Sequence, residues 1–319
     1  MLNKVVLFKK MKRFIFTVLI FFFSKLSAFN IEEIDQGVFV HFGFQQDSNE
    51  NNQGDIANIG FIVGKKSIMV IDTGGTPEIG QKLLEKIREK SNLPISHIVI
   101  THSHPDHFFG TQAFLLENPK ILGHEKLNRS LLQNFNFYKN SQHANIGIQS
   151  INDAQLVEAN ILIKTNETKT IDLGERLVEL KAWTSGHTDN DLSVYDKKTK
   201  IFWSENVFVE RTPSIRASIL GWRKNLEEIL NMDIKLIVPG HGKVLDKEKA
   251  LRPMINYFDR IINRLREFHK NNQSLQESIN VILQEEKIDP FKVNKEKWVL
   301  FNEYHYSNIT KAFTELEWE

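Results

Sequence analysis

Three histidines and an aspartate fall within six consecutive residues, His102-Ser103-His104-Pro105-Asp106-His107. Imidazole and carboxylate are the ligands that zinc takes when thiolates are absent, and this chain has no cysteine. Eleven histidines in 319 residues make such a cluster a poor accident of composition. Pro105 stiffens the backbone between two of the four candidate ligands, so less ordering entropy is lost on binding. Two more histidines have similar surroundings. His187 lies in Ser185-Gly186-His187-Thr188 and His241 in Pro239-Gly240-His241-Gly242, each beside glycine. Glycine lets a chain turn tightly and approach a ligand closely. Six side chains of this kind could hold one or two divalent cations.

Such ligands need stiff supports, and the flanking sequence supplies them. Ile98-Val99-Ile100 reads as a short buried strand running straight into His102. Leu177–Trp183 is a strand ahead of His187, and Lys235–Val238 a strand ahead of His241. Ile59–Val63 and Ser67–Ile71 form a hairpin about Gly64-Lys65-Lys66. The second of these ends in Ile71-Asp72-Thr73-Gly74-Gly75, where Asp72 is a strand-end turn residue. Thr76-Pro77 is an N-cap with proline at the first helical position, followed by Ile79, Leu83, Leu84 and Ile87 at helical spacing. Further helices are expected over Glu125–Leu132 and Trp222–Leu230, with 133–168 weakly patterned. Beyond residue 245 the chain turns helical and highly charged. Leu251, Ile255, Phe258, Ile261, Ile262, Leu265 and Phe268 mark one long amphipathic helix, and Leu275, Ile279 and Ile282 another. The expected organisation is residues 1–28, 29–245, and a helical C-terminal extension over 246–319.

The first 28 residues differ from the rest. They hold six of the 41 Lys/Arg and none of the 40 Asp/Glu, then the apolar run Phe14–Phe23 and the small residues of Ser27-Ala28. A basic stretch, a ten-residue apolar core and small residues make a signal peptide, which places the remainder in the periplasm or outside the cell. Its removal takes the formal charge from +1 to −5. No basic stripe remains for nucleic acid, and no later run is long and apolar enough for a membrane span.

The H-x-H-x-D-H cluster, the later Gly-His and the last histidine after a strand together resemble the metallo-β-lactamase superfamily, over about residues 35–245. The resemblance implies a four-layer αββα sandwich with metals at one edge. It implies that His102, His104 and His187 hold a first Zn2+ and that Asp106, His107 and His241 hold a second. It also implies that Asp72 steadies a ligating imidazole from behind. The family commonly bridges its metals with an Asp in a Gly-Asp pair, and the matching pair here is Glu205-Asn206. Asn206 is a poor ligand, and strand alternation is expected to turn Glu205 to the opposite face. The second zinc should then bind more weakly, at a site with one negative charge fewer and more attraction for anionic groups.

Glu210-Arg211-Thr212-Pro213-Ser214-Ile215 and Ala217–Trp222 are similar to exported metallohydrolases associated with quinoprotein (PQQ) dehydrogenases and to Sox-type proteins. That likeness implies that Arg211 and Trp222 line the site. Phe42 and Phe44 are expected to form an apolar flap over it. The implied activity is zinc-dependent hydrolysis of a small ester, thioester, lactam or similar substrate. Zinc lowers the pKa of its bound water to about 7, and Asp106 would orient the hydroxide and carry its proton. Two alternatives stand beside it: a true metallo-β-lactamase of the type lacking a bridging carboxylate, and a zinc-binding accessory protein of a quinoprotein dehydrogenase without turnover.

Overall fold

A computed structural model describes residues 29–147, 151–285 and 292–319. The expected signal segment, 1–28, lies outside the described residues.

Two sheets carry the architecture. The first joins β1 (Glu32–Asp35), β2 (Val38–His41), β3 (Ile59–Val63), β4 (Ile68–Ile71), β5 (Ile95–Val99), β6 (Lys120–His124) and β7 (Ile161–Ile163), side by side in chain order. β1 to β4 pair antiparallel, and β5, β6 and β7 add in parallel. The second sheet joins β8 (Thr168–Asp172), β9 (Leu177–Ala182), β10 (Leu192–Asp196), β11 (Ile201–Phe208) and β12 (Leu236–His241), again in chain order. It is antiparallel except between β11 and β12.

Parallel neighbours need crossovers. Helix α1 (Pro77–Lys90) links β4 to β5. Helix α2 (Pro105–Phe108) and a 3-10 helix at Thr111–Glu117 link β5 to β6, and α3 (Leu127–Ile146) leads on towards β7. Helix α4 (Ile219–Leu230) links β11 to β12. After these come α5 (Lys247–Lys270), α6 (Leu275–Glu285), α7 (Lys292–Lys297) and α8 (Phe301–Leu316).

The hydrophobic residues sort into three layers of packing. Val38, Val40, Ile62, Met69, Val99, Val178, Leu180, Val194, Trp203 and Val238 fill the space between the sheets. Ile59, Phe61, Val70 and Ile98 point the other way, against Ile79, Leu83 and Ile87 of α1 and Leu127 and Leu131 of α3. Phe202, Phe208 and Ile237 face Trp222 and Leu226 of α4 and Leu251, Phe258 and Ile262 of α5. Period-2 alternation in the strands and 3.6-residue periodicity in the helices thus build the helix–sheet–sheet–helix order that the family resemblance implies.

Helix α1 begins as its sequence requires: Thr76 Oγ1 accepts the Ile79 N–H at 3.3 Å, with Pro77 in the first turn. Helix α3 runs fourteen residues past its expected end, through the polar stretch Asn134–Asn145, burying Leu131, Gln142 and Ile146. The C-terminal helices share one core with the second sheet. Phe301, Ile309, Ala312 and Phe313 of α8 pack in the same cluster as Trp222 and Tyr257.

A polar clasp adds to this packing. Ser218 Oγ accepts the Gly221 N–H at 2.8 Å and donates to Glu315 Oε1 at 2.6 Å, while Glu315 Oε2 accepts the Ile219 N–H at 2.8 Å. A carboxylate from α8 therefore caps the positive end of α4. Glu315→Ala should lower the unfolding free energy by about 1–2 kcal/mol, read as a lower urea midpoint at unchanged slope.

Candidate metal centre

All six sequence-selected groups gather at one end of the sandwich. His102, His104, Asp106 and His107 follow the C-terminal end of β5, His187 follows β9, and His241 closes β12. They form two triads, His102–His104–His187 and Asp106–His107–His241, with the candidate ligand atoms of each within 4.8 Å of one another. In the first, His104 Nδ1 stands 3.0 Å from His102 Nε2 and 2.9 Å from His187 Nε2. In the second, Asp106 Oδ2 lies 3.3 Å from His107 Nε2 and 3.5 Å from His241 Nε2.

What faces away from each triad fixes the tautomers. His187 Nδ1 meets the Ser214 carbonyl at 2.9 Å and His241 Nδ1 the Ile56 carbonyl at 2.7 Å. A carbonyl only accepts, so both nitrogens carry the proton and both Nε2 lone pairs point inward. His107 Nδ1 donates to Asp72 Oδ2 at 2.7 Å. Asp72 also accepts the Thr101 N–H at 2.9 Å and the Thr101 hydroxyl at 2.7 Å. With its proton committed to Asp72, the Thr101 hydroxyl oxygen accepts from His102 Nδ1 at 3.2 Å. Asp72 therefore orients one histidine of each triad, the second directly and the first through Thr101. It holds a left-handed backbone with φ +53°, a region that Asp tolerates better than most residues.

Electrostatics point the same way. Burial holds His102, His187 and His241 well below the ordinary histidine range, and takes His104 down to about 4. These four are neutral imidazoles with lone pairs to give. Burial would do the same to His107, but Asp106 and Asp72 on either side raise it well above that range. Burial likewise opposes ionisation of Asp106, yet His107, also through its hydrogen bond, and His241 keep its carboxyl far below the usual range. Buried lone pairs that converge with one carboxylate suit a divalent cation with nitrogen and oxygen preference.

The glycine beside His241 has a definite role. A Cβ on Gly240 would lie 2.3 Å from the Glu205 carbonyl, so only glycine lets β12 close on β11 beside the site. The His187 turn is held by Asp191, which accepts the Thr188 hydroxyl at 2.6 Å and the Thr188 N–H at 3.1 Å. Burial pushes the Asp191 carboxyl up to about 7.

Three expectations need correction. On β11, Ile201 and Trp203 point between the sheets and Phe202 towards the helices, so alternation sends Glu205 inward and Asn206 outward. Asn206 Oδ1 accepts from Ser204 Oγ at 2.5 Å, and its carbonyl accepts the Trp222 indole N–H at 2.9 Å. Glu205 is the residue beneath the site: burial first, and then the Asp72 charge, raise its carboxyl well above the usual range. Trp222 does not line the site. It is fully buried, with its ring centroid 4.8 Å from that of His187. Phe42 and Phe44 line a separate depression of about 210 Å3 with His41 and Asp55.

The cleft over the triads measures about 740 Å3. Arg211 lines it as expected, together with Asp47, Tyr138, Arg216 and Tyr304. Tyr138 and Tyr304 carried no sequence signal: one lies in the weakly patterned α3, the other about 200 residues from the histidine cluster.

Known proteins place this arrangement. The sequence profile of the metallo-beta-lactamase superfamily matches residues 52–241. The metallo-beta-lactamase type 2 of Bacillus cereus is 22% identical over 241 residues, covering 72% of this chain and 83% of its own. The linear primary-alkylsulfatase of a Pseudomonas species is 39% identical over 56 residues, 18% of this chain and 11% of its own. The solved structure of the sec-alkylsulfatase Pisa1 from Pseudomonas sp. superposes with a TM-score of 0.61 at 16% identity, covering 78% of this chain and 44% of that one. Among the described residues no helix is long and apolar enough to cross a membrane. With the profile spanning more than half of its length and an all-histidine triad beside an Asp-His-His triad at the edge of a double sheet, this chain belongs to the metallo-β-lactamase superfamily of metal-dependent hydrolases.

Proposed function

We propose that this protein is an exported hydrolase that holds two Zn2+, one on His102, His104 and His187 and one on Asp106, His107 and His241, and cleaves a small substrate bearing an acidic group. The observation that carries the reading is the inward-facing set of lone pairs, fixed by acceptors behind four of the five imidazoles. Bound zinc supplies Lewis acidity and a source of hydroxide at neutral pH. The protein's own groups do the rest. Asp106 Oδ2, 3.3 Å from His107 Nε2 and 3.5 Å from His241 Nε2, is placed to orient a nucleophile at the second triad. Asp72 and Thr101 keep His107 and His102 in register. Arg211 and Arg216 give the cleft two cations for an anionic substrate. Export rests on the composition of residues 1–28, and a purified chain lacking them, weighed intact from the periplasm, is the expected product.

Metal analysis of residues 29–319 after zinc return should find two ions per chain. One ion would shift weight to a mononuclear enzyme, and none would end the mechanism. The substrate screen covers lactams, thioesters, carboxylic esters and, because of the alkylsulfatase likeness, alkyl sulfates. Zinc loading with no turnover on any class, together with capture of a quinoprotein dehydrogenase, would favour the accessory role instead.

The two ions should differ in their response to pH. His107 binds its proton more tightly than an ordinary histidine, and that proton competes with the ion at Nε2. The first triad stays unprotonated down to about pH 4, the value to which His104 is lowered. Lowering pH from 8 to 5 should therefore release the Asp106–His107–His241 ion first. Zinc retained per chain after gel filtration at each pH reads this directly.

A further inference from the structure

Residues 45–55 cross the mouth of the cleft without regular strand or helix. Asp47 in this segment is held by two donors from distant parts of the chain: the Tyr304 hydroxyl of α8 at 2.8 Å and Arg211 Nη2 at 3.1 Å, both on Asp47 Oδ1. Arg211 is only 4% exposed. Its Nη1 donates to the Gln46 carbonyl at 2.9 Å, while its buried Nε has no hydrogen-bond partner. The Nε/Nη2 edge of a guanidinium fits the two oxygens of an acid side by side, and Asp47 engages only half of that edge. The Asp47 side chain is itself 47% exposed, so it gives up little on leaving. Burial and the neighbouring Asp47 push the Tyr304 phenol well above the usual tyrosine range, which keeps it a donor at neutral pH. Arg216 lines the same cleft with an exposed side chain that pairs with nothing among the described residues, and its backbone N–H donates to the His187 carbonyl at 3.1 Å.

We propose that Arg211 and Tyr304 form the seat for the acidic group of the substrate, that Asp47 occupies this seat in the free protein, and that α8 thereby sets the charge preference of the site. The inference rests on the hydrolase reading and deepens it. A carboxylate or a sulfate entering the cleft exchanges with Asp47 and engages both Nε and Nη2 of Arg211. Arg216, on the wall that also carries His187, attracts it on entry. A buried donor that Asp47 leaves unfilled is what makes the exchange favourable.

The test uses zinc-loaded chain, wild type, Asp47→Asn and Tyr304→Phe, with two esters of one leaving group: neutral 4-nitrophenyl acetate and anionic mono(4-nitrophenyl) glutarate. Glutarate and methyl sulfate are titrated separately by calorimetry, which needs no turnover. The ratio of kcat/KM for the charged over the neutral ester should rise roughly 3- to 10-fold in Asp47→Asn and fall by a similar factor in Tyr304→Phe, with anion affinity following the same order. Tighter binding of glutarate than of methyl sulfate marks a carboxylate seat, and the reverse a sulfate seat. A ratio and affinities unmoved in both variants, each shown folded by near-UV circular dichroism, would overturn the seat while leaving the hydrolase standing. Neither ester cleaved, but anion affinity moved by the variants, would keep the seat and remove the hydrolase.

Discussion

His102→Ala should cut hydrolysis by roughly a thousandfold and leave the chain with one ion fewer. His102 is buried, its Nε2 is 3.0 Å from His104 Nδ1, and its removal leaves the first ion with two protein ligands. Polarisation by a bound ion is worth several kcal/mol in the transition state, and each 1.36 kcal/mol is tenfold in rate. The loss should fall in kcat, with the second ion retained, because Asp106, His107 and His241 are untouched. Zinc counts and steady-state kinetics on the same preparation check this. Full zinc content with full activity would end the ligand assignment for His102.

The second large effect is expected at Asp72, which contacts neither cleft nor substrate. Its carboxylate closes three hydrogen bonds, to Thr101 N, Thr101 Oγ1 and His107 Nδ1, in a position with no solvent exposure. Removing one partner of a buried charged network costs about 3–5 kcal/mol, and a left-handed alanine adds about 1 kcal/mol. Asp72→Ala should therefore lose most of a typical domain's margin in urea. Asp72→Asn keeps the backbone preference and one acceptor oxygen, so it should fold. It should then show about 10- to 100-fold weaker binding of the second ion, the usual result of losing a group behind a metal ligand. If Asn at this position binds both ions as tightly as wild type, Asp72 is a turn residue and no more.

The six ligands were legible because their chemistry is concentrated: four within six residues after an apolar strand, and two set among glycines. The layers were legible for the same reason, since strand alternation and the α1 and α5 stripes are strong periodic signals. The groups behind the histidines were harder to see. Ser214 and Ile56 act through backbone carbonyls, which every residue has, so no residue type announces them. Glu205 and Asn206 were assigned to the wrong faces because a period-2 argument is only as good as its phase. Here the phase is set by Trp203, which packs between the sheets. Helix α3 was read too short because polar Gln142 takes a buried position and interrupts the apolar stripe Leu131, Phe135, Tyr138 and Ile146. Tyr304 reaches the cleft only through the packing of α8, a tertiary fact with no local trace.

Each sheet is built from one unbroken stretch of chain, β1–β7 and then β8–β12, and among the described residues no strand crosses between them. Each triad takes two side chains from the first stretch and one from the second: His102 and His104 with His187, Asp106 and His107 with His241. Local pairing can complete either sheet while the other is unformed, but neither half alone holds a full set for either ion. Full-affinity ion capture is thus a late event in folding. It reports that the halves have met in register, and it slows their parting more than it speeds their meeting.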